Sequence, residues 1–116
     1  MVSDSPQALN SDRYGGSMRY LPVNIYHNGD VDNELVNVSK RDGDVVIWQN
    51  PHHYDFTVQF KTSPFASGVT SFVVPARGAI SSGPLNGSVQ LGDIFDYEIQ
   101  NLAMAIASDP GIKIQP

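Results

Sequence analysis

Short apolar–polar alternations, interrupted again and again by Gly, Pro, Asn and Asp, constrain this chain more than any other feature. Leu21, Val23 and Ile25 alternate with Tyr20, Asn24 and Tyr26, the period-two signature of a strand with one buried face. Pro22 lies inside that run and assigns it to a sheet edge, where a missing N–H donor is tolerated. Asn28-Gly29-Asp30 reads as a turn. Residues 34–39 alternate again, and Asp42-Gly43-Asp44 turns the chain into Val45-Val46-Ile47-Trp48. Residues 46–60 then read as strand, turn and strand, the turn carrying Asn50-Pro51 and two histidines, His52 and His53. Residues 69–74 form a β-branched run stopped by Pro75. Residues 76–87 are rich in Gly, Ser and Pro and read as loop. After Gly92-Asp93, Phe95, Tyr97 and Ile99 alternate with Asp96 and Glu98, and Asp109-Pro110-Gly111 leads into a closing Ile112-Lys113-Ile114. The apolar stretch 101–108 is long enough for one helical turn at 103–107 and no more.

About seven or eight short strands with turn residues between them, and no persuasive amphipathic helix, predict an all-β sandwich or barrel. The 116 residues are one domain's worth of chain, enough to bury roughly two-thirds of the unfolded surface. The domain is expected over residues 18–116, preceded by a polar leader at 1–17 whose Ser, Asp, Asn and Gly content cannot form a core. A formal net charge of −5 argues against nucleic acid or an anionic membrane as partner, since both select basic surfaces. There is no cysteine, which excludes disulfides, thiolate catalysis, thiolate zinc sites and iron–sulfur clusters together. Nothing approaches the ~20 apolar residues of a membrane span. Met1-Val2-Ser3-Asp4-Ser5-Pro6 has neither a basic nor an apolar signal region. That start fits a cytoplasmic protein, or an extracytoplasmic one whose leader has been trimmed, so the compartment stays open.

The segment from Val38-Ser39 through Gly43-Asp44 and Trp48-Gln49-Asn50-Pro51 resembles the cupredoxin pattern of a strand, a Gly-Asp turn, and a strand ending in Trp-x-Asn before a His-bearing strand. Gly92-Asp93-Ile94-Phe95-Asp96-Tyr97-Glu98-Ile99 is similar to that family's later strand, which ends in a copper-binding cysteine. The closing Asp109-Pro110-Gly111-Ile112-Lys113-Ile114 is similar to the last strand of bacterial cupredoxin-like proteins. The resemblance covers roughly residues 35–116. It implies a type 1 copper site built from two imidazoles, a thiolate and a weak axial group. In this sequence the position matching the first histidine is Phe56 and the position matching the cysteine is Ile99; downstream, Met104 is the one ligand-type residue in 101–106. A lone thioether does not hold copper, so the resemblance implies the family's Greek-key β-sandwich without its redox centre, and no cofactor is expected.

Other chemistry is thinly represented. His52 and His53, with Asp55 and His27 near them, form the one cluster of potential metal ligands. Adjacent side chains in extended backbone point to opposite faces, so a shared tetrahedral ion would need unusual geometry. No Ser sits in a nucleophile-elbow motif. Asp42 and Asp44 flank a turn glycine, where Asp serves its own backbone, and Asp30-Val31-Asp32 lacks the glycine and remaining ligands of a calcium loop. Asn37-Val38-Ser39 and Asn86-Gly87-Ser88 match the glycosylation acceptor pattern without a signal peptide to make it usable. Trp48 is expected at the centre of the core. Tyr14, Met18, Tyr20, Pro22, Tyr26 and Tyr54 are less easily placed inside and suggest a surface for another protein or a multi-subunit complex. The expected function is therefore a non-catalytic interaction or accessory module; the alternative is weak metal or small-ligand binding at the His52/His53 turn.

Overall fold

The computed structural model describes residues 19–104, 106 and 109–116. The leader at 1–17, together with Tyr14 and Met18, lies outside the described residues, as do positions 105, 107 and 108. Eight strands make up the described structure: β1 (Tyr20–Asn24), β2 (Leu35–Ser39), β3 (Val45–Asn50), β4 (Phe56–Phe60), β5 (Ser71–Val74), β6 (Gly78–Ser81), β7 (Ile94–Gln100) and β8 (Gly111–Gln115). They form a three-stranded sheet in the order β1-β3-β6 and a five-stranded sheet in the order β2-β8-β7-β4-β5. Only β4–β5 and β7–β8 are consecutive partners; every other connection between these strands crosses from one sheet to the other. The pairs β1–β3 and β2–β8 are parallel. This is the all-β sandwich that the alternation predicts.

The alternation is realised residue by residue. In β1 the core face carries Val23, and the exposed face carries Tyr20 and Pro22. In β7 Tyr97 and Ile99 are buried while Asp96, Glu98 and Gln100 face water. Packed between the sheets is an aromatic cluster centred on Trp48, whose ring lies edge-on to Tyr97 at 5.6 Å, to Phe60 at 6.1 Å and to Phe65 at 6.5 Å, with Phe72 tilted at 5.4 Å. Such pairs contribute about 0.5–1.5 kcal/mol each beyond the burial of their area.

Among the described residues Pro22 sits on the open edge of the smaller sheet, as expected. Ile25 donates to the Gln49 carbonyl at 3.0 Å and Val45 donates to the Arg19 carbonyl at 2.9 Å. Odd-numbered residues of β1 therefore turn their backbone groups toward β3, and even-numbered ones turn them outward. The missing N–H of Pro22 consequently costs the ladder nothing. Farther along, Asp32 occupies the outward groups of Asn24: its carboxylate accepts from Asn24 N at 2.9 Å and its N–H donates to the Asn24 carbonyl at 3.1 Å.

Strand β6 is the departure from the expected loop over 76–87. Gly-Ala-Ile-Ser has weak strand propensity and a half-buried pattern. It forms because β3 needs a second neighbour, and the ladder from Ile47↔Ser81 to Asn50↔Gly78 provides one. Ser82 extends it: its N–H donates to the Val46 carbonyl at 2.8 Å, and its hydroxyl accepts from Val46 N at 3.0 Å. In the stretch 101–108 the described part is a turn, closed by Met104 N donating to the Asn101 carbonyl at 3.1 Å. The helical turn expected at 103–107 falls partly on undescribed positions.

Arg19 and Asp44 fasten the start of β1. The guanidinium makes a two-point contact with the carboxylate at 2.7 and 2.8 Å, and Ser39 N donates to the same carboxylate at 3.0 Å. Burial pulls the Asp44 carboxyl upward, but the Arg19 hydrogen bond, the Ser39 N–H and the Arg19 charge together hold it below the usual carboxylate range. A carboxylate with a depressed folded value gives stability that is complete above the unfolded value and is lost as pH falls through the folded one. Acid titration below about pH 4 is expected to weaken the fold in wild type and not in Asp44→Asn, measured by chemical denaturation at several pH values.

Candidate functional site

One end of the sandwich is closed by the loops that follow β1, β3, β5 and β7, and it holds the positions the sequence singles out. Asn50, at the end of β3, is buried and organises it. Its Nδ2 donates to the Tyr54 carbonyl at 2.7 Å and to the Val74 and Pro75 carbonyls at 3.2 Å each; its Oδ1 accepts from His52 N at 3.0 Å. One amide thus ties the β3–β4 turn to the end of β5. Asp55 adds a second tie, its carboxylate accepting from Ala76 N at 2.8 Å, while its carbonyl accepts from Asn101 Nδ2 at 2.8 Å.

The two histidines diverge. The His52 ring lies parallel to Tyr54 at 5.7 Å, and its Nε2 is 2.9 Å from the Ile25 carbonyl, a contact that places the ring proton on Nε2. His53 Nδ1 is 2.9 Å from the Arg77 guanidinium, which has only donors to offer, so this nitrogen is the acceptor. Arg77 itself adopts φ 59°, the left-handed region that non-glycine residues rarely enter. Its N–H donation to the His52 carbonyl at 2.9 Å helps hold it there. One nitrogen of each ring is therefore committed to a different protein partner. Among the described residues no group of three or more His, Asp or Glu is placed to hold a metal ion.

The positions that the resemblance matches to copper ligands are packed in the core. Phe56 opens β4 at 0% exposure, and Ile99 in β7 is 3% exposed. Both belong to the same apolar cluster, with Met104 and Ile106 half-buried against it. His52 and Tyr54 lie edge-on to the Phe56 ring at 6.3 and 5.4 Å. Gly29, at φ 89°, lets Ile106 close over this end: a Cβ there would sit 2.5 Å from the Ile106 methyl. Phenylalanine and isoleucine have no donor atoms for copper, and the chain has no thiolate, so these residues do not fit the type 1 metal group that the fold carries elsewhere. Leu102, by contrast, is fully exposed at the tip of the β7–β8 loop.

The residues suggested as an interface separate. Tyr20 is 55% and Tyr26 49% exposed, and Pro22 is exposed beside them on the outer side of β1. Tyr54 is half-buried and turned inward, donating its hydroxyl to the His27 carbonyl at 2.9 Å. Asn50, Asn101 and Arg77 do structural work at this end that the sequence reading did not assign. The Asn50-Pro51-His52 spacing carries a signal, since Asn commonly accepts from the N–H two residues on. Arg77 carries none.

Eight strands in these two sheets, with a Trp-centred core and an Asn-Pro turn leading into β4, define a cupredoxin-like β-sandwich. The solved structures that it resembles include forms of amicyanin. A reduced Cu(I) form of an amicyanin variant at pH 4 matches with a TM-score of 0.59 at 15% identity, covering 83% of this chain and 82% of that one. A reduced tryptophan-to-tyrosine variant gives 0.59 at 14% identity with the same coverage. An oxidised methionine-to-leucine variant gives 0.58 at 14%, covering 82% and 81%. Likeness at this identity is likeness of fold. No protein-family model matches the chain, and no curated protein matches it.

Proposed function

We propose that this chain is a non-catalytic cupredoxin-like module, without a type 1 copper centre, that serves as an interaction or structural accessory subunit of a larger complex. The carrying observation is that Phe56 and Ile99, which the resemblance matches to two copper ligands, are packed in the core at one end of the sandwich. A chain without a redox centre cannot carry electrons itself. What this end offers to a partner is shape and apolar surface, with Leu102 and Tyr26 exposed. Partners recovered with the full-length chain from its native cells, identified by mass spectrometry and then purified, provide the assay. Tyr26→Ser combined with Leu102→Ser is expected to weaken that association about tenfold or more. Unchanged affinity would remove this end from the interface.

The copper part of the proposal has its own measurement. Calorimetry with copper and with zinc is expected to give no binding tighter than about micromolar, and His52→Ala/His53→Ala is expected to change nothing. An intense blue absorption band on copper addition would sink the proposal outright.

A further inference from the structure

The sequence contains two Asn-Gly pairs, Asn28-Gly29 and Asn86-Gly87. In such a pair the glycine backbone nitrogen can attack the asparagine side-chain carbonyl carbon, because no Cβ obstructs the approach. The bond from the glycine nitrogen to Cγ forms, and the Cγ–Nδ2 bond breaks. Ammonia leaves, taking up the proton lost by the glycine amide. Water then opens the resulting succinimide to aspartate or isoaspartate. No oxidant or reductant is needed.

The two pairs have opposite surroundings. At Asn28 the nucleophile is engaged: Gly29 is buried and its N–H donates to the Tyr26 carbonyl at 2.9 Å. The leaving amide is held too, with Asn28 Nδ2 donating to the Asp30 carboxylate at 3.0 Å; the Asp30 N–H that reaches Asn28 Oδ1 at 3.0 Å has its counterpart at Asn86 and does not distinguish the pairs. Ring closure there must break the turn and develop negative charge beside an existing carboxylate. At Asn86 both residues are exposed, no hydrogen bond takes up the Gly87 N–H among the described residues, and the space around Gly87 is open. The Asn86 side-chain oxygen accepts from Ser88 N and from Ser88 Oγ, each at 2.9 Å. Those two donors point at the atom on which charge builds when the carbon is attacked, the arrangement that stabilises an oxyanion.

We propose that Asn86, in the loop between β6 and β7, is a site of spontaneous deamidation, whereas Asn28 is protected by the fold. The product adds one negative charge in a surface depression that Asn86 and Gly87 share with Lys40. In its isoaspartate form it inserts an extra methylene between the Asn86 N–H, which holds the Pro64 carbonyl at 2.8 Å, and the Asn86 carbonyl, which accepts from Val89 N at 3.2 Å. The neighbouring Phe65–Leu85 bridge is the nearest contact to feel that change.

The test incubates the folded full-length chain in mildly alkaline buffer and follows each asparagine by peptide mapping, with isoaspartyl methyltransferase labelling of the product. The denatured chain serves as reference. The folded chain is expected to lose Asn86 and retain Asn28, while the denatured chain loses both at similar rates. Ser88→Ala removes one donor from the Asn86 oxygen in an exposed loop and is expected to slow the Asn86 reaction about fivefold, the rate equivalent of ~1 kcal/mol. Equal loss at the two sites in the folded chain, no loss at Asn86, or an S88A rate equal to wild type overturns the proposal.

Discussion

Phe56→Ala is expected to cost about 3–5 kcal/mol of folding stability and to lower the melting temperature by roughly 10–25 °C. The ring is wholly buried at the first residue of β4 and takes edge contacts from His52 and Tyr54. Removing it leaves a void where β4 meets the closing loops, with Ile99 in the same cluster. The hydrogen-bonded turn above cannot collapse into that void without giving up the Asn50 contacts. Urea titration of the variant reads the cost directly. A loss under about 1 kcal/mol would mean that this end is not packed as described.

Asn50→Ala is expected to cost about 3 kcal/mol or more, because it removes the donor shared by three carbonyls and leaves the half-buried His52 N–H without its acceptor. Asn50→Asp separates hydrogen bonding from volume. A carboxylate of the same size would point acceptor lone pairs at carbonyl oxygens, so this variant should be less stable than Asn50→Ala at neutral pH. Its folded-state carboxyl would be raised by burial and by those neighbours, so part of the loss should be recovered as pH falls and the group protonates. Denaturation curves at neutral and acidic pH compare the two. If Asn50→Asp is as stable as wild type at neutral pH, the amide is not the tie described.

Tyr97 tests the opposite sign. Burial pushes its phenol up to about 12, with the Trp48 indole offsetting a little and Asp32 adding to the rise. Among the described residues Trp48 Nε1 and Tyr97 Oη are buried without a hydrogen-bond partner at normal distance, so the indole's influence is that of a long contact. A group raised above its unfolded value contributes stability that is complete below about pH 10 and is lost as pH rises toward about 12. The loss is about 2–3 kcal/mol over that window. Tyr97→Phe keeps the ring and removes the unsatisfied hydroxyl. It should match or exceed wild type at neutral pH and lose this alkaline component, read from unfolding at increasing pH.

The strands were legible in the sequence wherever one face is buried and the other wet, because that burial leaves a period of two. Residues 94–99 and 20–25 show it most clearly. The ladder partner Gly78–Ser81 was not legible, since its small residues are positioned by β3 and carry almost no periodic signal of their own. At the candidate site Trp48-Gln49-Asn50-Pro51 and Tyr97-Glu98-Ile99 pointed to Phe56 and Ile99, and the structure buries both in one apolar cluster. The hydrogen bonds that close the end join residues far apart in sequence: Asn50 reaches Val74 and Pro75, and Asn101 reaches Asp55. Left-handed Arg77 makes the same point. Its conformation depends on a carbonyl 25 residues earlier, and no local pattern encodes that.

The edge formed by β1 has a bearing on how the molecule behaves in a crowded solution. An exposed strand ordinarily acts as a template on which a second chain can lay its backbone and from which ordered aggregates grow. Here Pro22 breaks the row of donors, and Asp32 masks the groups of Asn24. A neighbour that meets Tyr20 and Pro22 can grip their side chains but cannot zip along the backbone. Recognition on that flank is confined to discrete, reversible contacts, and the flank is guarded against self-templated polymerisation.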